Sequence, residues 1–187
     1  MIQRLVVSLI FLALSGLQAL EFDLSEHQLM SLAIPDGWSI VRACSLEATN
    51  EDPQGYAVKA RPSNGAKATL ILTVLMVKNE GLDKELLRKR VLDMINQMNV
   101  NSVEKNQELL QFSLKKGIGL YGLFTDASLV GKPVTRDEFR VMAVGHIILS
   151  KKVIGFVSLF ADDKEGEEMQ TMIKVVNSLG VGPRIRK

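Results

Sequence analysis

Apolar positions in the first part of the chain come in short runs cut by turn residues. The piece Leu29–Ile34 stops at Pro35, Asp36 and Gly37, which predicts a strand followed by a tight turn. Ser39–Leu46 partly alternates, with Ile40 and Leu46 apolar and Arg42 polar, and predicts a second strand. After the polar run "EATNEDPQG", Tyr56, Val58 and Ala60 alternate with Ala57, Lys59 and Arg61 as a half-buried strand requires. The stretch "TLILTVLMV", Thr69–Val77, is β-branched and almost continuously apolar, so it predicts a central strand covered on both faces.

The period then changes. In "GLDKELLRKRVLDMINQMNV" the apolar residues Leu87, Val91, Met94, Ile95 and Met98 recur at spacings of three and four, one face of an amphipathic helix. Asp83 can cap its start, while Lys84, Arg88, Lys89, Asp93 and Gln97 fall on the outer face. A second group of strands follows: Leu109–Leu114, Leu120–Thr125, Phe139–Ser150 and Val153–Ala161. The last two are joined by Lys151 and Lys152 and read as an antiparallel hairpin. Met169, Met172, Ile173, Val176 and Leu179 form the stripe of a closing helix. Asp162 and Glu165 suit a capping box at its start, and Gly180 suits a stop at its end. Two apolar-striped helices among hairpin-connected strands predict an α+β domain, a mainly antiparallel sheet flanked by helices in an α/β/α sandwich. No linker, repeat or low-complexity tract divides it.

The N-terminus changes the compartment. Arg4 provides a positive start, Leu5–Leu14 an apolar run too short to span a bilayer, and Ala19 a small residue for cleavage. We therefore expect a signal peptide at residues 1–19, a single mature domain at 20–187, and a periplasmic location without a remaining membrane span. No cysteine follows the apolar run, so a lipid anchor has no attachment atom. The chain carries 23 Lys and Arg against 21 Asp and Glu. Loss of Arg4 brings the balance still closer to neutral, which gives no reason to expect a nucleic-acid partner. Cys44 is the single cysteine, so an intrachain disulfide cannot form and packing must hold the domain together.

Candidate chemistry is sparse. The two histidines, His27 and His146, lie in no metal-binding spacing, and Cys44 has no adjacent base. The carboxylates Asp162, Asp163, Glu165, Glu167 and Glu168 do not follow a calcium-loop pattern, and acidic residues are expected at a helix start. The segment "GLYGLFTDASLVGKP" lacks the spacing of a phosphate loop and of a nucleophile elbow. It reads as a strand that leaves the sheet through a loop. No catalytic, cofactor or metal site is expected. Asp126, Ser128, Lys132 and Arg136 are the candidate partner contacts on that loop.

The order of these segments carries a resemblance. "IPDGWSIVRA", then "TLILTVLMV", a long amphipathic helix, "GLYGLFTDASLVGKP" and the ending "GFVSLFADDKEGEEMQTMIKVVNSL" resemble the Mog1/PsbP-like superfamily, and within it small exported proteobacterial members. The resemblance covers nearly all of the mature chain and implies an antiparallel sheet between helices. It also implies accessory work, since relatives act in photosystem II assembly and ion retention or as partners of a small GTPase. The expected function is a non-enzymatic periplasmic accessory protein that binds another envelope protein and needs no cofactor. The alternatives are a carrier of a small apolar ligand, and a hydrolase or other enzyme using His146 and Asp126.

Overall fold

The computed structural model describes residues 17–25, 28–46, 54–77, 83–105, 108–135 and 138–184. His27, Arg136 and most of the expected signal peptide lie outside them. Ten strands and two α-helices run in the order β1 (Leu17–Asp23), β2 (Gln28–Pro35), β3 (Trp38–Leu46), β4 (Gly55–Pro62), β5 (Ala68–Met76), α1 (Lys84–Met98), β6 (Leu110–Phe112), β7 (Ile118–Thr125), β8 (Val141–Ser150), β9 (Val153–Ala161), α2 (Glu167–Asn177) and β10 (Gly180–Pro183).

Seven strands form one antiparallel sheet in the order β3-β4-β5-β9-β8-β7-β6. Strands β3, β4 and β5 meander inward from one edge. Helix α1 then carries the chain to the far edge, and β6 to β9 meander back until β9 pairs with β5. Lys151 and Lys152 make the β8–β9 turn, as their sequence predicts. A second sheet, β1-β2-β10, is also antiparallel. A cut after Ala19 would fall inside β1 and leave Leu20–Asp23 paired with Leu32–Leu29.

The two faces of the large sheet are covered unequally. One face carries Val58, Leu70, Leu72, Ala143, Val157 and Leu159 into a core closed by Met169, Met172 and Val176 of α2 and by Met30, Leu32 and Ile34 of β2. On the other face the one α-helix among the described residues is α1, whose buried Leu87, Val91 and Ile95 sit on Leu120 and Phe124 of β7. Burial of each such side chain contributes roughly 1.5–3 kcal/mol, far more than helix propensity does. The Asp83 carboxylate accepts a 2.8 Å hydrogen bond from the Leu86 amide and caps α1 as expected.

Three expectations need correction. Strand β5 is not covered on both faces: Leu70, Leu72 and Val74 are fully buried, but Ile71 is 36 % exposed. The reason is width, since α1 lies over β7 and β8 and does not reach β5. Asp162 and Glu165 make no capping box. Helix α2 starts at Glu167 behind Gly166, and no side chain caps it. Asp163 instead accepts from the Glu165 amide at 2.9 Å, while Asp162 pairs with Lys67 at 3.2 Å. Gly180 does not stop the helix, which has already ended at Asn177; Gly180 opens β10 against β2. The flanked antiparallel architecture stands, with the addition of a second sheet.

Candidate functional site

Strand register builds an apolar row at the end of α1. Phe124 of β7 lies opposite Met142 of β8, which lies opposite Phe160 of β9. All three point to the α1 side of the sheet; α1 covers Phe124, which is buried, but ends before it can roof Met142 and Phe160. A cleft of about 290 Å³ opens there. Met98, Asn101 and Ser102 wall one side and Phe139 and Arg140 the other, with Thr125 and Asp126 at the end.

Both walls are pinned. The Glu104 carboxylate accepts from the Thr125 amide and from its hydroxyl, each at 2.7 Å. Burial raises the Glu104 pKa, but the Thr125 hydrogen bonds outweigh it and hold the carboxyl below its ordinary value. The Val103 amide donates to the Thr125 carbonyl at 2.8 Å, and Ser102 bridges Asp126. On the other wall the Phe139 and Phe160 rings meet at 5.7 Å, and the Lys67 ammonium stands 5.9 Å from the Phe139 ring centre. Lys67 also donates to the Thr135 carbonyl at 2.8 Å, and Arg140 donates to the Lys132 carbonyl at 2.9 Å. The loop after β7 is therefore anchored at several points.

The candidate contact residues divide. Asp126 borders the cleft, but its carboxylate accepts from the Ser128 amide at 2.8 Å and shapes the short 3-10 turn Ala127–Leu129. Lys132 presents its carbonyl to Arg140. Ser128 and the Lys132 side chain are on the exposed outer part of the loop.

His146 is half-buried on the α1 side of β8, edge-on to Phe156 with ring centres 4.9 Å apart. Burial lowers its pKa, and the Arg90 charge lowers it further. Asp126 pairs in register beyond Val141, at Arg140, which is six positions along the strand from His146. At the strand rise that is roughly 20 Å, so the structure does not bring the two together. Cys44 does share a row with His146, through Ala57, Thr73 and Phe156. Four interstrand spacings, about 19 Å, still separate them. Among the described residues no three His, Cys, Asp or Glu side chains cluster to hold a metal, and no helix is long and apolar enough to cross a membrane.

No protein-family model, curated protein or solved structure matches the chain.

Of the residues that line the cleft, sequence reasoning singled out Asp126 alone and missed the others, Met98, Phe139, Arg140, Met142 and Phe160 among them. The available signal was geometric. A helix about 10–12 Å wide spans little more than two strands at 4.8 Å spacing, so a single helix leaves most of a wide sheet uncovered.

Proposed function

We propose that the protein is a non-enzymatic binding module of the cell envelope, exported through a cleaved signal peptide into the periplasm, where it seats an apolar side chain of another protein in the cleft. The observation that carries this reading is the Phe124–Met142–Phe160 row, apolar and pre-formed between pinned walls, with Met142 and Phe160 left without a roof where α1 ends. Interfaces concentrate binding energy in such pockets, which take one aromatic or aliphatic anchor from the partner. Met98 and Met142 suit the task, because unbranched thioether side chains adapt to different anchor shapes. The sandwich is proposed to be of the Mog1/PsbP-like type, in keeping with accessory work.

The small-ligand alternative is less well served. About 290 Å³ lies at the lower limit for a drug-sized molecule, which needs most of its surface enclosed. An enzyme using His146 and Asp126 lacks the contact between them that such chemistry requires.

Crosslinking in intact cells tests the reading. Tagged full-length chain with its own leader would carry a photoreactive residue at Lys132, followed by periplasmic isolation and mass spectrometry of adducts and of the mature N-terminus. One dominant envelope protein should be captured, and Met142→Glu should abolish the capture while His146→Gln leaves it. Capture unaffected by Met142→Glu, or a protein that stays uncrosslinked, would overturn it. An N-terminus starting before the leader's expected cut would overturn the export step.

A further inference from the structure

The cleft is one end of a longer open face. Helix α1 covers β7 and β8, which leaves the same side of β9, β5, β4 and β3 without an element over it among the described residues. That strip is three interstrand spacings wide, about 14 Å, and one α-helix with its side chains is about 10–12 Å across.

Register shows what lines it. One row reads Arg42, Lys59, Ile71 and Ser158 from β3 to β9. The next reads Cys44, Ala57, Thr73 and Phe156, and the row towards the cleft brings Arg61 beside Thr69 and Phe160. The apolar surface lies nearer α1 and runs into the cleft through Phe160. The far bank is basic. Arg42, Lys59 and Arg61 are the charged side chains that β3, β4, β5, β8 and β9 direct to this face among the described residues, and none of the three has a carboxylate partner there. Arg90 of α1 stands on the near side, beside His146 and Phe156.

We infer that this strip receives an amphipathic α-helix of the partner protein, with its apolar stripe on Ile71, Phe156 and Phe160 and acidic residues on its flank against Arg42, Lys59 and Arg61. The inference rests on the protein-binding reading above and names the chemistry of the segment bound. Charge complementarity selects the acid, and the width of the strip selects a single helix. A nucleic acid is the less suitable polyanion. The whole chain carries a net charge of just +2.

The test uses purified mature protein and three dye-labelled designed helices with one common leucine stripe and Glu, Gln or Lys at the flanking positions, read by fluorescence anisotropy. Each exposed charge pair contributes a factor of about two to three, so the Glu helix should bind about ten-fold more tightly than the Gln helix. The Lys helix should bind least. The preference should shrink as salt is raised, and Arg42→Glu with Lys59→Glu should reverse the order of the Glu and Lys helices. Circular dichroism of the double variant confirms its fold. Equal binding of the Glu and Gln helices, a preference unchanged in the double variant, or displacement by an oligothymidine of equal charge would each overturn the inference. If no charge preference is seen while crosslinking in cells still depends on Met142, the acidic-helix inference fails and the apolar-anchor reading stands. A Glu preference without Met142-dependent crosslinking supports the strip's chemistry and removes the anchor reading.

Discussion

Replacing Glu104 by alanine should loosen the wall of the cleft and lower stability in a pH-dependent way. The carboxylate accepts two short hydrogen bonds from Thr125 at 2.7 Å and is 22 % exposed. Hydrogen bonds to a charged group contribute about 1.5–3 kcal/mol each when buried. Partial exposure brings each nearer to 1 kcal/mol, and the Lys164 ammonium, 3.8 Å away and about half exposed, adds little. Glu104→Ala should therefore cost about 2 kcal/mol at neutral pH, or a fall in Tm of roughly 4–8 °C for a domain of this size. Glu104→Gln should cost about half as much, because the amide oxygen still accepts one of the two bonds. The folded pKa lies below the ordinary value of 4.5, so the stabilisation is present above that value. It is lost as the pH falls through the lower folded pKa. Urea unfolding at a series of pH values from 7 downward should show the gap between wild type and Glu104→Ala constant near neutrality and closing below about pH 4. A gap that does not change with pH, or a Gln variant as stable as wild type at pH 7, would refute the assignment of this carboxylate as the anchor.

Three further outcomes follow from other contacts. Gly145 lies opposite Tyr121, and a Cβ there would meet the Leu120 carbonyl and Tyr121, whose ring is stacked on Phe112 at 4.3 Å. Gly145→Val should cost about 3 kcal/mol or more, seen as loss of soluble protein or an early urea midpoint. Ser178 donates to the Val175 carbonyl at 2.6 Å and accepts from the Ala33 amide at 2.9 Å, so Ser178→Ala strands an amide of β2 and should cost about 1–2 kcal/mol in the same assay. For His146 the folded pKa is lowered, by burial first and then by Arg90, so the unfolded chain takes up its proton at a higher pH than the native one does. Stability should thus fall as the pH drops below about 6.5, and His146→Gln should remove that part of the fall; an imidazole titrating above 6.5 by NMR would contradict it.

Much of the large sheet was legible because its strands carry period-two patterning. Tyr56, Val58 and Ala60 alternate inward as written, and β9 runs from Val153 to Ala161 as predicted. Asp83 and the Leu87, Val91 and Ile95 stripe declare α1 through capping and spacing. Of the small sheet only β2 was legible, foreseen as the run Leu29–Ile34 before its turn. Strand β10 is only Gly180–Pro183, with no side-chain alternation to read, and β1 begins inside the expected signal peptide. Strand β5 misled because Ile71 and Leu72 look alike in sequence; only the position of α1 decides which of them faces water. The cleft was hidden for the same reason. Phe124, Met142 and Phe160 come from three strands, and their common row exists only once register is set. Asp126 was found through its glycine-rich setting, although its carboxylate proves to serve the turn.

The unequal cover of the sheet ties these observations together. On one face α2 and the small sheet together close the core, with Ser178 fastening the end of the helix to β2. On the other, α1, with its 15 residues, is the one α-helix set against the seven strands among the described residues. A monomer gains nothing by leaving Ile71 in water or Phe160 under an open cleft, since apolar burial would stabilise it further. The same surface could have been made neutral by polar residues at the outward positions of β5 and β9. Instead those strands present Ile71, Phe156 and Phe160, while β3 and β4 beside them present Arg42, Lys59 and Arg61. Apolar surface bordered by charge of one sign on a rigid sheet is the pattern of a site completed by a second molecule. On the proposed binding reading, the pinned Glu104–Thr125 and Arg140–Lys132 contacts would keep that site formed before a partner arrives and so lower the ordering cost of binding.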